Sequence, residues 1–210
     1  AYGIGIIGSK FRGNYGIELG SRMRYINIDE SNDLRHNFEM GVRPPVSGDQ
    51  VAGNELNCGK WHPAHFKSQG EMLSVASRAT GPIKLEIPEN LSGSGPVIDG
   101  RNLPNDTAIR GRPGGTTVEA NSGSSPAILL VGDQSLESVN VDSSGASGSS
   151  ALRLSGNELT VRDVVVSGAS KHGVEISGDR DFLENVRCDS SNISNTDIIL
   201  FNNSDYCRIL

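Results

Sequence analysis

The sequence predicts an all-β chain coiled as a parallel β-helix, a solenoid in which each turn of the chain stacks on the turn before it. Short strands of alternating apolar character begin at residues 127, 151, 173 and 197, so they step by 24, 22 and 24 residues. A second set of apolar positions, led by residues 136, 161, 183 and 207, steps by 25, 22 and 24. A repeat of this length with at least two short strands is typical of a solenoid. The 26 glycines, with only 35% hydrophobic and 5% aromatic residues, suit a thin stacked core with a turn at every corner.

The first strand of each repeat should bury alternate side chains, because successive side chains of a strand point to opposite faces. The residues predicted to point inward are Ile128, Leu130, Leu152, Leu154, Val174, Ile176, Ile198 and Leu200. Those predicted to point outward between them are Leu129, Arg153, Glu175 and Ile199. Since rungs lie about 4.8 Å apart, equivalent side chains of neighbouring rungs should be in contact.

The second strand of each repeat carries a charge directly after its leading apolar residue. These charged residues are Glu137, Arg162, Glu184 and Arg208 in successive repeats. Opposite charges on neighbouring strands attract one another, so the alternation predicts a ladder of exposed ion pairs that fixes the register of the rungs. We favour this interpretation over a catalytic role for the four residues.

Three segments are predicted: β-helix rungs over 1–40, an irregular loop or capping region over 41–80, and β-helix rungs over 81–210. Residues 70–79 fit either a short amphipathic helix or one more strand. Complete rungs before this region, and a last repeat that stops at Leu210 without a polar cap, favour a chain whose ends meet further residues or each other. In the second case, residues 1–40 would stack after residue 210.

Charge and cysteine content bear on the partners of the chain. The net charge of −6 and the lack of a long basic run argue against a nucleic-acid partner. No apolar run is long enough to cross a bilayer as a helix, which argues against a membrane span. Three cysteines, Cys58, Cys188 and Cys207, do not make a disulfide framework. Because the last two occupy apolar positions of the repeat, buried free thiols are expected.

The repeat over 126–210, supported by 82–120 and 14–33, resembles the right-handed parallel β-helix proteins of the pectate-lyase-like superfamily. The segment 87–117, which contains Ile-Arg-Gly-Arg-Pro-Gly-Gly-Thr-Thr, resembles the opening rungs of bacteriophage tailspikes. The resemblance implies a virion-borne or extracellular homotrimer that binds a polysaccharide along the helix side, and it leaves open whether the protein cleaves that polymer by hydrolysis or elimination. Alternatives are a free polysaccharide lyase, hydrolase or epimerase, and a non-catalytic structural protein or adhesin. A trimer predicts exposed outward apolar residues, such as Leu129 and Ile199, on one face.

Five residues are candidates for catalysis. Glycoside hydrolysis needs two carboxylates about 5–10 Å apart, and Asp179 and Asp181 are the nearest pair in the sequence, although turn aspartates commonly bond to the local backbone. Asp197, in Asn-Thr-Asp, and His172, in Lys-His-Gly, partly match elements of polygalacturonase-like enzymes, in the reverse order. For a lyase, Lys171 or His172 would be the base. A solvated corner is the structural alternative for His172.

Five other residues are candidates for substrate binding. Arg153 and Glu175 point outward from consecutive strands, and Trp61, His62 and His65 lie within five residues of one another. A loop packed over the end of the β-helix is the structural alternative for the second group. Two histidines without a third ligand do not predict a zinc site. No cofactor or metal is therefore predicted, and calcium is the one ion that the resemblance leaves open.

Overall fold

A computed structural model of the chain describes residues 5–6, 17–18, 27–28, 42–43, 60–61, 69–77, 83–112, 114–189, 196–200 and 207–210. In these residues the chain is mostly strand, with parallel sheets stacked as a β-solenoid and very little helix. The predicted all-β solenoid is therefore confirmed. Two compact units are present, one formed by 1–87 and 102–108, the other by 88–101 and 109–210.

The first unit contains six short strands and a helix. They are β1 (Gly5–Ile6), β2 (Ile17–Glu18), β3 (Asn27–Ile28), β4 (Val42–Arg43), β5 (Lys60–Trp61), α1 (Gln69–Ala76) and β6 (Lys84–Ile87). β1 pairs with β3, β2 with β4 and β5 with β6, all in parallel. In the ambiguous segment at 70–79, residues 70–76 belong to a helix, which good helix formers favour and which buries Met72 and Ala76.

The second unit repeats three strands per turn, for about five turns. The first face contains β7 (Leu91–Ser94), β10 (Thr116–Ser122), β13 (Val139–Asp142) and the second halves of β15 (Thr160–Ser167) and β17 (Phe182–Asp189). The second face contains β8 (Ile98–Asp99), β11 (Ile128–Leu130), β14 (Leu152–Leu154), β16 (His172–Ile176) and β18 (Thr196–Leu200). The third face contains β9 (Ala108–Gly111), β12 (Ser135–Glu137), the first halves of β15 and β17, and β19 (Arg208–Ile209). A short 3-10 helix, Gly100–Asn102, follows β8.

The second face stacks its apolar residues in the predicted rows. Ile128 pairs with Leu152, Leu152 with Val174, and Val174 with Ile198, which confirms the predicted spacing of the first strands. Ile128, Leu152 and Val174 are fully buried. Burial of an aliphatic side chain contributes about 1.5–3 kcal/mol, so these rows hold the stack together.

The predicted second strand of each repeat is bent, so a turn has three strands rather than two. Ser138, Asp163 and Asn185 occupy the bend in successive rungs, with φ of 57°, 51° and 52°. A residue in this left-handed region turns the chain through a corner, and the two halves of the strand then belong to different faces. The side-chain amide of Asn185 donates to Asp163 Oδ1 at 2.6 Å, which links neighbouring corners. The three-residue step from Val161 to Val164 is the sequence signal of this bend.

The last repeat departs from the predicted alignment. Leu183 pairs with Ile209 rather than with the predicted Cys207, and Phe182 pairs with Arg208. The prediction that Arg208 stacks on Glu184 is therefore wrong. Cys207 was aligned with Leu183 because both are apolar, but Cys207 belongs to the turn that precedes the strand.

The turn that begins at Val131 has four residues between its strands, one fewer than the turn that begins at Ser155. In the longer turn, Ser155 N donates directly to Leu130 O, one rung below, at 3.0 Å. In the shorter turn the carboxamide of Gln134 is inserted into this ladder. Its Oε1 accepts from Val131 N at 3.0 Å and its Nε2 donates to Gly100 O at 2.9 Å. The fully buried Gln134 side chain thus takes the place of a peptide group.

Candidate functional site

The outer surface of the third face is a ladder of charged side chains. Glu137 pairs in register with Arg162, and Arg162 with Glu184. Arg162 Nε lies 3.0 Å from Glu184 Oε2, and Arg110 Nη2 lies 3.4 Å from Glu137 Oε1. The predicted register is confirmed for these three residues, and the predicted ion pairing for Arg162 and Glu184. Arg110 extends it by one rung, and its position directly after the apolar Ile109 was the sequence signal for it.

Phe182 lies beside this ladder, and two guanidinium groups lie near its ring. The Cζ atom of Arg162 is 5.4 Å from the ring centroid and that of Arg208 is 5.9 Å from it. The ring is partly exposed, whereas the neighbouring Leu183 points inward and is fully buried. Among the residues that the structure describes, Arg208 has no carboxylate within ion-pair distance. The sequence did not predict this cluster, because the repeat spacing aligns Arg208 with Glu184 rather than with Phe182. We name Arg110, Glu137, Arg162, Phe182, Glu184 and Arg208 the third-face ladder.

The predicted substrate-binding residues Arg153 and Glu175 form an ion pair on the second face, with 2.5 Å between Arg153 Nη2 and Glu175 Oε1. Ser150 Oγ donates to the other carboxylate oxygen at 2.6 Å. Burial raises the pKa of Glu175, but the hydrogen bonds from Ser150 and Arg153 and the charges of Arg153 and Lys171 outweigh it, so the pKa lies below its ordinary value. Only 4% of Glu175 is exposed. Its carboxylate is therefore held as an anion whose two oxygens are both bonded within the protein.

Lys171, His172 and Asp197 lie together at the start of the second-face strands. Lys171 is exposed and precedes β16, whose first residue is His172. His172 pairs with Thr196, so Asp197 follows on the neighbouring strand. The Nδ1 atom of His172 is buried without a hydrogen-bond partner. Asp197 is exposed, and its charge adds to burial in raising the pKa of Cys188 to about 11.

Asp179 and Asp181 lie at the other end of β16. The backbone N–H of Asp179 donates to Asn157 Oδ1 at 3.0 Å, and the N–H of Leu159 donates to Asp181 Oδ1 at the same distance. Asp181 is 1% exposed, so its carboxyl faces the interior. The five residues of β16, at about 3.3 Å each, separate this pair from His172. The five catalytic candidates therefore form two separate groups.

The other predicted site residues lie apart from these. Trp61 is the last residue of β5, in the first unit, while His62, His65 and Cys58 lie outside the described residues. The outward residue Leu129 is only 8% exposed, so the exposed apolar surface expected of a trimer is not found at this position. Cys188 and Cys207 are free thiols as predicted, but both are only partly buried.

No group of three or more His, Cys, Asp or Glu residues that could hold a metal ion occurs among the described residues. No helix in the described ranges is long and apolar enough to cross a membrane.

Comparison of the chain with protein-family models, with curated proteins and with solved structures finds no match. The resemblance to the pectate-lyase-like superfamily thus has support at the level of architecture, a parallel β-solenoid of about five turns. Neither the family nor the tailspike likeness gains support from a relative.

Proposed function

We propose that this chain binds a polysaccharide along the third-face ladder. The observation that carries the proposal is the partly exposed ring of Phe182, which has the guanidinium groups of Arg162 and Arg208 within 5.4 and 5.9 Å of its centroid. The exposed part of an aromatic ring offers an apolar surface against which a sugar ring can pack. Guanidinium groups supply several donors in a fixed geometry and carboxylates supply acceptors, and together they suit the hydroxyl groups of a glycan.

The repetition of the ladder favours a polymer over a single sugar. Strands of the third face lie about 4.8 Å apart, and their outward residues are in register. A chain molecule lying along the stack would therefore meet donors and acceptors at successive rungs. An exposed ion pair contributes only about 0.2–1 kcal/mol. The Arg110–Glu137 and Arg162–Glu184 pairs could thus exchange partners with a ligand at little cost.

The second face is a weaker candidate for the same role. Its outward residues Leu129 and Glu175 are buried, and the Glu175 carboxylate is already bonded to Ser150 and Arg153. The third face instead has side chains about half exposed at four ladder positions. The resemblance to tailspikes extends the proposal to an extracellular or virion-borne homotrimer, whose polymer would run along each β-solenoid.

Affinity electrophoresis through gels that contain capsular or plant polysaccharides tests the proposal. We expect at least one polymer to retard the protein, and Phe182→Ala to weaken that retardation about tenfold, since loss of an aromatic anchor commonly costs more than about 1 kcal/mol. The control is Val165→Ala, which removes a partly exposed outward side chain from the first face. Its retardation should equal that of the unmodified chain.

Two results would contradict the proposal. Retardation by none of the polymers would refute polysaccharide binding, and equal weakening by Val165→Ala and Phe182→Ala would refute the third face as the site. Reducing ends and unsaturated-uronate absorbance, followed in the same mixtures, distinguish hydrolysis and elimination from binding without cleavage.

A further inference from the structure

An interior column of the second unit runs through the turns that join the second face to the third. Its members, one in each of four successive rungs, are Gln134, Leu159, Asp181 and Cys207. Backbone hydrogen bonds of 2.8–3.2 Å join each rung to the next directly beside these residues. The column therefore places an acidic side chain between a leucine below and a thiol above.

Only one of the two carboxyl oxygens of Asp181 has a hydrogen-bond partner in this column. Its Oδ1 accepts from Leu159 N at 3.0 Å, but its Oδ2 is buried and has no hydrogen-bond partner. That oxygen lies against the turn of its own rung, 3.3 Å from where a Cβ atom on Gly178 would stand. Glu175 differs from Asp181 in this respect, because both of its carboxylate oxygens are bonded within the protein. An ionised carboxylate is costly at such a position, whereas a protonated carboxyl is tolerated.

No cation offsets this cost among the described neighbours of Asp181. Among the described residues, the charged or titratable groups on its own turn and on the adjacent turns are Asp179, Arg180, Glu158, Arg208 and Cys207, while Asp205 and Tyr206 of the segment before β19 lie outside the described residues. Arg180 pairs with Glu158 at 2.9 Å, and both of their side chains are more than half exposed. The Arg208 guanidinium lies over the ring of Phe182, on the outer surface. The Cys207 thiol donates to a backbone carbonyl of the Asp181 turn at 3.5 Å. Within the part of the chain that the structure describes, the charge that acts on Asp181 is that of Asp179, which has the same sign as the Asp181 carboxylate and opposes its ionisation.

We propose that Asp181 is a proton-operated latch: its protonated carboxyl keeps the turn between the second and third faces closed, and its ionisation opens that turn together with β19 above it. Arg208 N donates to Asp181 O at 2.9 Å, so movement of this turn is transmitted to β19. Burial raises the pKa of Asp181 to about 6, from an ordinary value of 3.8, with the Leu159 N–H opposing the rise and the Asp179 charge adding to it.

The direction of the pH effect follows from this shift. Between about pH 4 and pH 6, Asp181 is protonated in the closed form and ionised in the open form. Closure is therefore most favourable below about pH 4 and weakens as the pH rises to about 6. The equilibrium constant for opening should rise about tenfold per pH unit across this window, or about a hundredfold in all.

Hydrogen exchange and urea unfolding between pH 4 and pH 7 test the latch by comparison of the unmodified chain with Asp181→Asn, whose side chain stays neutral. We expect the opening constant at the backbone amides of Leu159 and Arg208, divided by that of the Asp181→Asn variant, to rise about a hundredfold with pH. Above about pH 6 this ratio should level off. The pKa of Glu175 is shifted downward, opposite to that of Asp181. Titration of Glu175 affects both proteins equally and therefore cancels in the ratio. The control is Asp133→Asn, which replaces an exposed aspartate in the equivalent turn two rungs below and leaves Asp181 in place. The ratio of opening constants between the unmodified chain and this control should not change with pH.

A ratio for Asp181→Asn that does not change with pH would overturn the proposal. Should Asp181→Asn fail to fold, Asp181→Leu, which copies Leu159 in the rung below, gives the same comparison. A leucine variant with the pH dependence of the unmodified chain would overturn the latch equally. Because no glycan enters these measurements, their outcome is independent of the polysaccharide proposal.

Discussion

The inserted carboxamide of Gln134 gives a sharp prediction about stability. Replacement of Gln134 by Met keeps most of the side-chain volume but removes both polar atoms. The C=O of Gly100 would then be left in the interior without a partner, and the half-buried N–H of Val131 would lose its partner as well. A buried polar group without a partner costs about 1–3 kcal/mol and a half-buried one costs less, so the two groups predict a loss of about 1–5 kcal/mol in the free energy of unfolding. Urea unfolding followed by circular dichroism measures this loss.

A second substitution at the same residue separates the accepting atom from the donating atom. In Gln134→Glu the side chain still accepts from Val131 N, but it can donate to Gly100 O only while it is protonated. The pKa of this carboxyl should be raised in the folded chain, so stability should fall as the pH rises, by about 1.4 kcal/mol per unit between the unfolded and folded pKa values. The loss caused by Gln134→Met should not depend on pH. A loss below about 1 kcal/mol for Gln134→Met, with an unchanged denaturant slope, would show that the inserted carboxamide is not required for the ladder.

Three further substitutions test other parts of the second unit by the same unfolding measurements. Arg153→Met leaves the buried Glu175 carboxylate without its cation. We expect a loss of about 2–4 kcal/mol in the free energy of unfolding at pH 7, which is low for a buried pair because Arg153 is partly exposed. The loss should be smaller in acid, since the stabilisation from the lowered pKa of Glu175 disappears as the pH falls. Leu152→Ala empties a fully buried position of the second-face row and should cost about 2–5 kcal/mol, so a cost near zero would contradict the stacked core. Gly178→Ala would make a Cβ atom overlap the backbone oxygen of Gly156 in the rung below and should prevent folding of this region, whereas Gly93→Ala, with its nearest neighbour at 3.9 Å, should fold normally by circular dichroism.

The apolar rows could be predicted from sequence because two regularities coincide in them. Alternation within a strand determines which side chains point inward, and the length of the repeat determines which side chains stack. Leu152 therefore lies between Ile128 and Val174, as predicted. The corner at Asp163 was missed because one left-handed residue leaves the chain extended on both sides. Only the three-residue step between apolar positions distinguishes the bent strand from a straight one.

The candidate site could be predicted only in part, for a related reason. Glu137, Arg162 and Glu184 were found because their charges alternate at the repeat spacing. Phe182 was missed because its partner Arg208 lies in a rung whose preceding turn changes the spacing, and spacing was the only guide to alignment. For Asp181, residue type suggested either a catalytic carboxylate or a turn aspartate bonded to the local backbone, whereas its position in the column directs it inward. Turn geometry, which the repeat pattern does not specify, decides both cases.

The connections between the first and second faces differ in length far more than the strands do. Three residues join β7 to β8, whereas nine, 143–151, join β13 to β14, and the β10–β13 and β11–β14 registers that flank the longer connection remain continuous. A stack of this kind can thus gain or lose residues at one edge without disturbing its core. For a protein engineer, the exposed tip of the 143–151 connection at Gly148, where an added Cβ atom would meet nothing within 4 Å, is the natural place to graft a foreign peptide. For a lineage under selection, the same edge allows surface diversity to arise while the rungs keep their packing.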